Sequence, residues 1–245
     1  MKGASPPRGD SKVEVRGAEA RYYDLLMNLI TGGSYPFFIR AVMRHMGIQP
    51  DDAILDLGAG TGRNACLMRR YLSDRGRILG LDIGPEMLAQ ARRKCHPFSN
   101  VTFVNRRVEE ALPYGGEFDV VFISFVLHGF VQEDRLRIVE NAYRALRSGG
   151  RFFVLDYNEF DPACSPWPVR LAFRRVECPL ASDFVKRDWR AILRGKGFGD
   201  FEVNCFYFGY VRLLAARKPP GFRPPPVSGL GDNLSGGRDG QEQTL

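Results

Sequence analysis

Ile54-Leu55-Asp56-Leu57-Gly58-Ala59-Gly60-Thr61-Gly62-Arg63-Asn64 decides how this chain folds. Strand residues run into three glycines at alternate positions, and a helical pattern follows from Asn64 to Leu72. Glycines so spaced let the backbone turn tightly and approach a ligand, because there is no Cβ to clash. The spacing is G-x-G-x-G, not the G-x-G-x-x-G of dinucleotide binders. It also lacks the lysine of a phosphate loop, which argues against nucleoside triphosphates. Taken alone, the glycines also fit an ordinary tight turn between strand and helix.

The next strand narrows the choice. Arg77-Ile78-Leu79-Gly80-Leu81-Asp82 is an apolar run ending in an acid, about 20 residues past the glycines, where a carboxylate can accept both ribose hydroxyls. Ile83-Gly84-Pro85-Glu86-Met87-Leu88 then opens a helix. Met87 is placed either to lie its polarizable thioether on a flat ring or to face the core. Together the glycine loop and Asp82 point to an adenosine-type site.

Strands and helices alternate beyond this unit. Helices are expected near 20–30, 36–47, 85–94, 132–147 and 183–196, and strands at 53–57, 78–82, 101–104, 118–124 and 151–156, with closing strands near 200–206 and 209–216. Strands separated by helical crossovers form a parallel sheet with helices on both faces. The last two are joined too tightly for a crossover and form an antiparallel hairpin.

Four stretches, ILDLGAGTG, ILGLDIGPEML, FDVVFISFVLHGF and LRSGGRFFVLDY, occur in the order and spacing of the class I S-adenosylmethionine (SAM)-dependent methyltransferases, which residues 20–217 resemble. Within that class the pattern is closest to the ubiquinone/menaquinone-biosynthesis C-methyltransferases and their small-molecule relatives. The resemblance implies a Rossmann-like seven-stranded, mostly parallel sheet with an antiparallel last strand, and SAM as cofactor. It places Gly58, Gly60, Thr61 and Gly62 around the aminocarboxypropyl arm, Asp56 near its amino group, Asp82 on the ribose and Ile83 on the adenine. It also brings Met87, Ser124 of the ISF segment and Tyr23 of an N-terminal Tyr-Asp segment to the cofactor. One departure stands out. Where relatives carry an acid or Asn followed by Ala at the adenine edge, this chain has Val108 and Glu109. Val108 has no side-chain acceptor, and Glu109 reads either as a substitute acceptor or as a solvated residue.

His128 is the candidate catalytic residue, a general acid/base four residues past Ser124; a structural loop histidine is the alternative. Asp156, Glu159 and Asp161 follow the fifth strand and read as a solvated loop. No His/Asp/Glu cluster at ligand spacing suggests a metal. No N-P-P-Y segment supports methylation of nucleic-acid bases, so nucleic acid is not expected as partner.

Composition bounds the rest. The 245 residues suit one α/β domain. The expected organisation is a disordered segment at 1–18, a methyltransferase domain at 19–217 and a disordered Pro/Gly-rich tail at 218–245. Residues 157–182, with Trp167, Arg170, Phe173, Arg174 and Arg175, read as a lid or as a core helix with a charged outer face. Tyr22, Tyr23, Tyr35, Phe37 and Phe38 are expected on the opposite wall. Five dispersed cysteines without C-x-x-C argue against a disulfide framework, and with no apolar leader they suggest a cytoplasmic protein. The net charge of +7 reads either as a solvated basic surface or as one that favours an anionic substrate, a phospholipid surface or RNA. The function expected is methyl transfer to a small, apolar or amphiphilic acceptor, with peripheral membrane contact left open. The alternatives are a non-catalytic SAM-fold regulator and an RNA methyltransferase.

Overall fold

The computed structural model describes residues 32–167, 169–171 and 179–221. Tyr22, Tyr23, the helix expected at 20–30 and Phe173–Val176 lie outside the described residues. The elements run α1 (Tyr35–Met46), β1 (Ala53–Leu57), α2 (Arg63–Met68), β2 (Arg77–Asp82), α3 (Pro85–Cys95), β3 (Val101–Asn105), β4 (Phe118–Ser124), α4 (Gln132–Ala145), β5 (Leu146–Tyr157), α5 (Pro179–Phe184), α6 (Trp189–Gly195), β6 (Gly199–Phe206) and β7 (Val211–Arg217).

Seven strands form one sheet in the order β3-β2-β1-β4-β5-β7-β6. β1 through β5 are parallel, and β7 lies antiparallel between β5 and β6. The fold class expected from the sequence is the one observed. Strand alternation explains its two cores. Ile54 and Phe122 face one side with Ile39, Val42 and Met43 of α1, while Leu55, Leu57, Val121 and Ile123 face the other with Ile138 and Val139 of α4.

The order reverses between β1 and β4, whose following connections lead to opposite sides. A crevice opens at their carboxyl ends, the place where such sheets bind ligands. There Gly58 approaches the loop after β4 so closely that a Cβ would come within 2.5 Å of Val126 Cγ2.

Four details depart from the sequence reading. The helix expected at 183–196 is two short helices, because Asp188 caps a new one by accepting from the Ala191 amide at 2.8 Å. β5 begins at Leu146, directly after α4, with a register shift between Phe118 and Val120 in its pairing to β4. Lys218, the first residue of the expected tail, is buried and donates to the Tyr143 and Leu146 carbonyls at 2.8 and 2.6 Å. Cys66 and Cys95, expected as free thiols, form a disulfide between α2 and α3. The packing of two helices made them neighbours, and a 29-residue separation carries no local signature.

Candidate functional site

Three strands end in an acid or beside one at the carboxyl edge. Asp56 is the penultimate residue of β1, Asp82 the last of β2 and Asp156 the penultimate of β5. Asp82 organises the glycine loop. One carboxylate oxygen accepts the Gly60 amide and the other the Gly84 amide, both at 2.8 Å. The Gly58 and Ala59 amides meanwhile donate to the Leu81 carbonyl. Gly58, Gly60 and Gly62 all have left-handed φ, +76°, +53° and +74°, which accounts for glycine at all three. At Gly62 a Cβ would also lie 2.8 Å from Ala91 of α3, so this glycine sets helix packing. A Cβ at Gly60 would meet nothing within 4 Å, so the loop is open there.

Asp56 is fully enclosed, at 1% exposure, and its Oδ2 has no hydrogen-bond partner. Desolvation, reinforced by the nearby Asp82 charge, pushes its carboxyl up to about 7. A buried orphan carboxylate beside an open glycine loop suits a ligand bearing an ammonium group. A carboxylate has about four acceptor positions, the number that suits one to serve both loop amides and ribose hydroxyls. The pieces therefore fit SAM: Asp56 for the ammonium, the loop for the chain and Asp82 for the ribose.

The other predicted cofactor residues divide. Thr61 is buried in the loop, Ile83 is half-buried and its carbonyl accepts from Asn105, and Ser124 is half-buried at the end of β4. Met87 is buried in the first turn of α3. Val108 packs among Leu81 and Leu112, and its carbonyl is engaged by Asn141 Nδ2 at 2.9 Å. Glu109 is not solvated: it is buried and accepts from Arg107 Nε at 2.5 Å. Tyr23 lies outside the described residues.

Across the crevice, His128 sits in a short 3₁₀ turn after β4, with 18% of its side chain exposed. Its Nδ1 is 2.8 Å from Asp156 Oδ1, and its backbone amide donates to Asp156 Oδ2 at 3.3 Å. A carboxylate partner favours the tautomer with the proton on Nδ1. Asp156, expected in a solvated loop, is buried. The signal was present, since Asp56 and Asp82 stand at matching strand ends. Glu159 accepts from the Trp189 amide and pairs with buried Arg212, and Asp161 caps a 3₁₀ turn. Among the described residues no group of acids, histidines or cysteines could hold a metal. Arg135 was missed altogether. Fully buried, it donates to the Leu127 and His128 carbonyls at 3.0 and 3.1 Å and pairs with Asp183 at 2.6 Å. An arginine on an amphipathic helix reads as solvated, and only the folded chain shows that it holds the histidine turn.

An aromatic wall completes this side. Phe38 meets Phe125, Phe206 and Tyr207 at ring distances of 6.4, 5.1 and 4.9 Å, and Tyr157 meets both Phe125 and His128. Phe125 has φ +53°, an unfavourable region for a bulky residue and one found preferentially at functional sites. Phe37, expected on the wall, is instead turned to solvent.

Residues 54–150 match a family profile described as a methyltransferase domain. Residues 54–150 therefore make up a methyltransferase domain. The ubiquinone/menaquinone biosynthesis C-methyltransferase of Vibrio campbellii is 33% identical to this chain over 150 residues, 60% of this chain and 57% of that protein. The same enzyme of Vibrio cholerae is 32% identical over 160 residues, 62% of this chain and 60% of that protein. The chain thus spans under two thirds of these curated relatives. Solved structures share the fold. A SAM-dependent methyltransferase from Aquifex aeolicus superposes with TM-score 0.57 at 19% identity, covering 74% of this chain and 89% of that one. A putative O-methyltransferase from Nostoc punctiforme gives TM-score 0.65 at 16% identity over 81% of this chain and 60% of that one.

Proposed function

We propose that the protein transfers the SAM methyl group to a small apolar or amphiphilic acceptor, with His128 as general base. The observation that carries this reading is the His128–Asp156 pair set into an aromatic wall, directly across the switch-point crevice from the glycine loop. SAM, when bound, supplies an already activated methyl electrophile. The protein must hold the acceptor in line with it, exclude water and remove a proton where the acceptor carries one. Phe38, Phe125 and Tyr157 provide an apolar surface for orienting a flat or greasy acceptor. Asp156 fixes the histidine tautomer, Arg135 holds the turn by its carbonyls, and Nε2 takes the acceptor proton as the methyl passes from sulfur to the acceptor. The likeness to quinone C-methyltransferases supports a quinone precursor as acceptor and carbon as the methylated atom.

Methyl-labelled SAM incubated with the protein and a cell extract tests this. Label is expected in the organic-soluble fraction, and His128→Ala should lower transfer at least about hundredfold with SAM affinity unchanged. Label confined to macromolecules, or undiminished transfer by the variant, would refute the acceptor class or the base respectively.

A further inference from the structure

The Cys66–Cys95 bridge joins the two helices that leave the glycine–acid frame. α2 starts from Gly62, the last glycine of the loop, and α3 starts from Gly84, whose amide is held by Asp82. Cys66 lies one turn into α2, and its amide donates to the Gly62 carbonyl at 2.9 Å. Cys95 ends α3, and its Sγ stands 3.6 Å from the same carbonyl oxygen. Both halves of the bridge thus bear on Gly62, where α2 and α3 already meet so closely that a Cβ has no room. A covalent tie here keeps the loop in one shape, and preorganisation of that kind raises affinity.

The two sulfurs differ in access. Cys95 is 2% exposed, whereas Cys66 is half-buried and lines a cleft of about 420 Å³ where α1, α2 and the end of α3 meet. Arg40, Arg63, Arg70 and Lys94 line the same cleft, and no described lining residue is an acid. The surroundings keep that sign. α1, α2 and the 3₁₀ turn after it carry no acid. Glu86 of α3 sits in the first turn, at the opposite end from Lys94, and Asp74 pairs with Arg69. The Arg63 guanidinium lies 4.3 Å from the Tyr35 ring centroid, which holds one of the four charges at the cleft wall. A disulfide is attacked at the sulfur a thiolate can reach, and cations beside that sulfur draw the thiolate in.

We propose that Cys66 is an exchange site for a small anionic thiol, and that exchange there loosens the cofactor loop. The thiol enters the basic cleft as its thiolate, and its sulfur bonds to Cys66 Sγ. The Sγ–Sγ bond breaks, its electron pair leaves on Cys95, and Cys95 takes a proton from water. The products are a mixed disulfide at Cys66 and a Cys95 thiol able to donate to the Gly62 carbonyl. A second thiolate attacks the mixed disulfide, departs with the first thiol as their common disulfide, and leaves Cys66 to take up a proton. The exchange site rests on the bridge and the cleft; only its effect on methyl transfer rests on the function proposed above.

Three thiols with the same two-carbon stem test the site: anionic 2-mercaptoethanesulfonate, neutral 2-mercaptoethanol and cationic cysteamine. At equal thiolate concentration and low salt, the anionic thiol should open the bridge at least about tenfold faster than the cationic one, and added salt should narrow the gap. Peptide mapping should find the first adduct on Cys66. The double variant Arg40→Glu/Arg70→Glu, at two exposed positions, should abolish the preference with the bridge and SAM affinity intact. By calorimetry SAM should bind the opened protein, and the variant Cys66→Ser/Cys95→Ser, about fivefold more weakly. Protein purified without reductant that lacks the bridge, equal rates for the three thiols, or a first adduct on Cys95 would overturn the site. Exchange at Cys66 with SAM affinity unchanged would overturn the coupling to the loop. Exchange and weakened SAM binding in a protein that transfers no methyl group leave this inference standing and remove the proposed function, whereas methyl transfer without exchange removes the inference alone.

Discussion

The two sides of the switch-point crevice are built on different principles. On the β1–β2 side the backbone does the work. Asp82 clamps two amides, three left-handed glycines shape the loop, and Gly62 lets α2 meet α3 where the Cys66–Cys95 bridge joins them. On the β4–β5 side, side chains do the work: an aromatic wall, a histidine held by a carboxylate, and a buried arginine beneath the turn. A cofactor of fixed shape can be met by backbone geometry. Under the proposed function the acceptor is met by side chains, which can change without altering the fold.

The largest expected break in that contrast is covalent. Opening the Cys66–Cys95 bridge, by reductant or by Cys66→Ser/Cys95→Ser, should remove about 3–4 kcal/mol of stability through the freed loop. Denaturant titrations with and without reductant read this directly, and identical curves would mean that the bridge is not formed in solution. Next is the clamp. Asp82→Ala leaves the Gly60 and Gly84 amides unmet and removes the ribose acceptor, so SAM should bind about hundredfold more weakly by calorimetry. On the acceptor side, Asp156→Asn should lower turnover about thirtyfold with SAM affinity intact, because the amide no longer fixes the histidine tautomer. A matching loss of SAM affinity would dissolve the division between the two sides.

The smallest effect sharpens the comparison through pH. The Asp56 carboxyl stands at about 7 in the folded chain, against 3.8 for the unperturbed group. Between these values the native state binds the extra proton, so burial of Asp56 lowers the stability of the SAM-free protein as pH rises from about 4 through 7. The SAM ammonium selects the ionised carboxylate. Affinity should therefore weaken below pH 7 by up to about tenfold per pH unit, while Asp56→Asn shows neither the stability slope nor the affinity slope. An unchanged affinity profile in the variant would assign the ammonium to another partner.

What was legible follows the same division. The glycine spacing, the acid ending β2 and the alternation of strands and helices identified the sheet, its switch point and the cofactor side, because local backbone requirements are written as residue types at fixed spacing. Even there Glu109, left between a substitute acceptor and a solvated residue, proved buried, since its partner Arg107 cancels the charge that argued for exposure. Asp156 likewise read as part of a solvated loop, and Arg135 drew no reading at all. Nothing local distinguishes a solvated charge from a buried one that is paired across 28 or 48 positions, as His128–Asp156 and Arg135–Asp183 are.

By itself the sequence determined the order of elements, the parallel sheet and the glycine–acid frame for the cofactor, since each depends on conformational preferences acting within a few residues. Only the tertiary structure decided that Asp156 holds His128, that Cys66 meets Cys95, and that Phe38 turns inward while Phe37 faces solvent. These depend on which distant segments the sheet brings together, and the balance between burial and hydration at each side chain is settled only there.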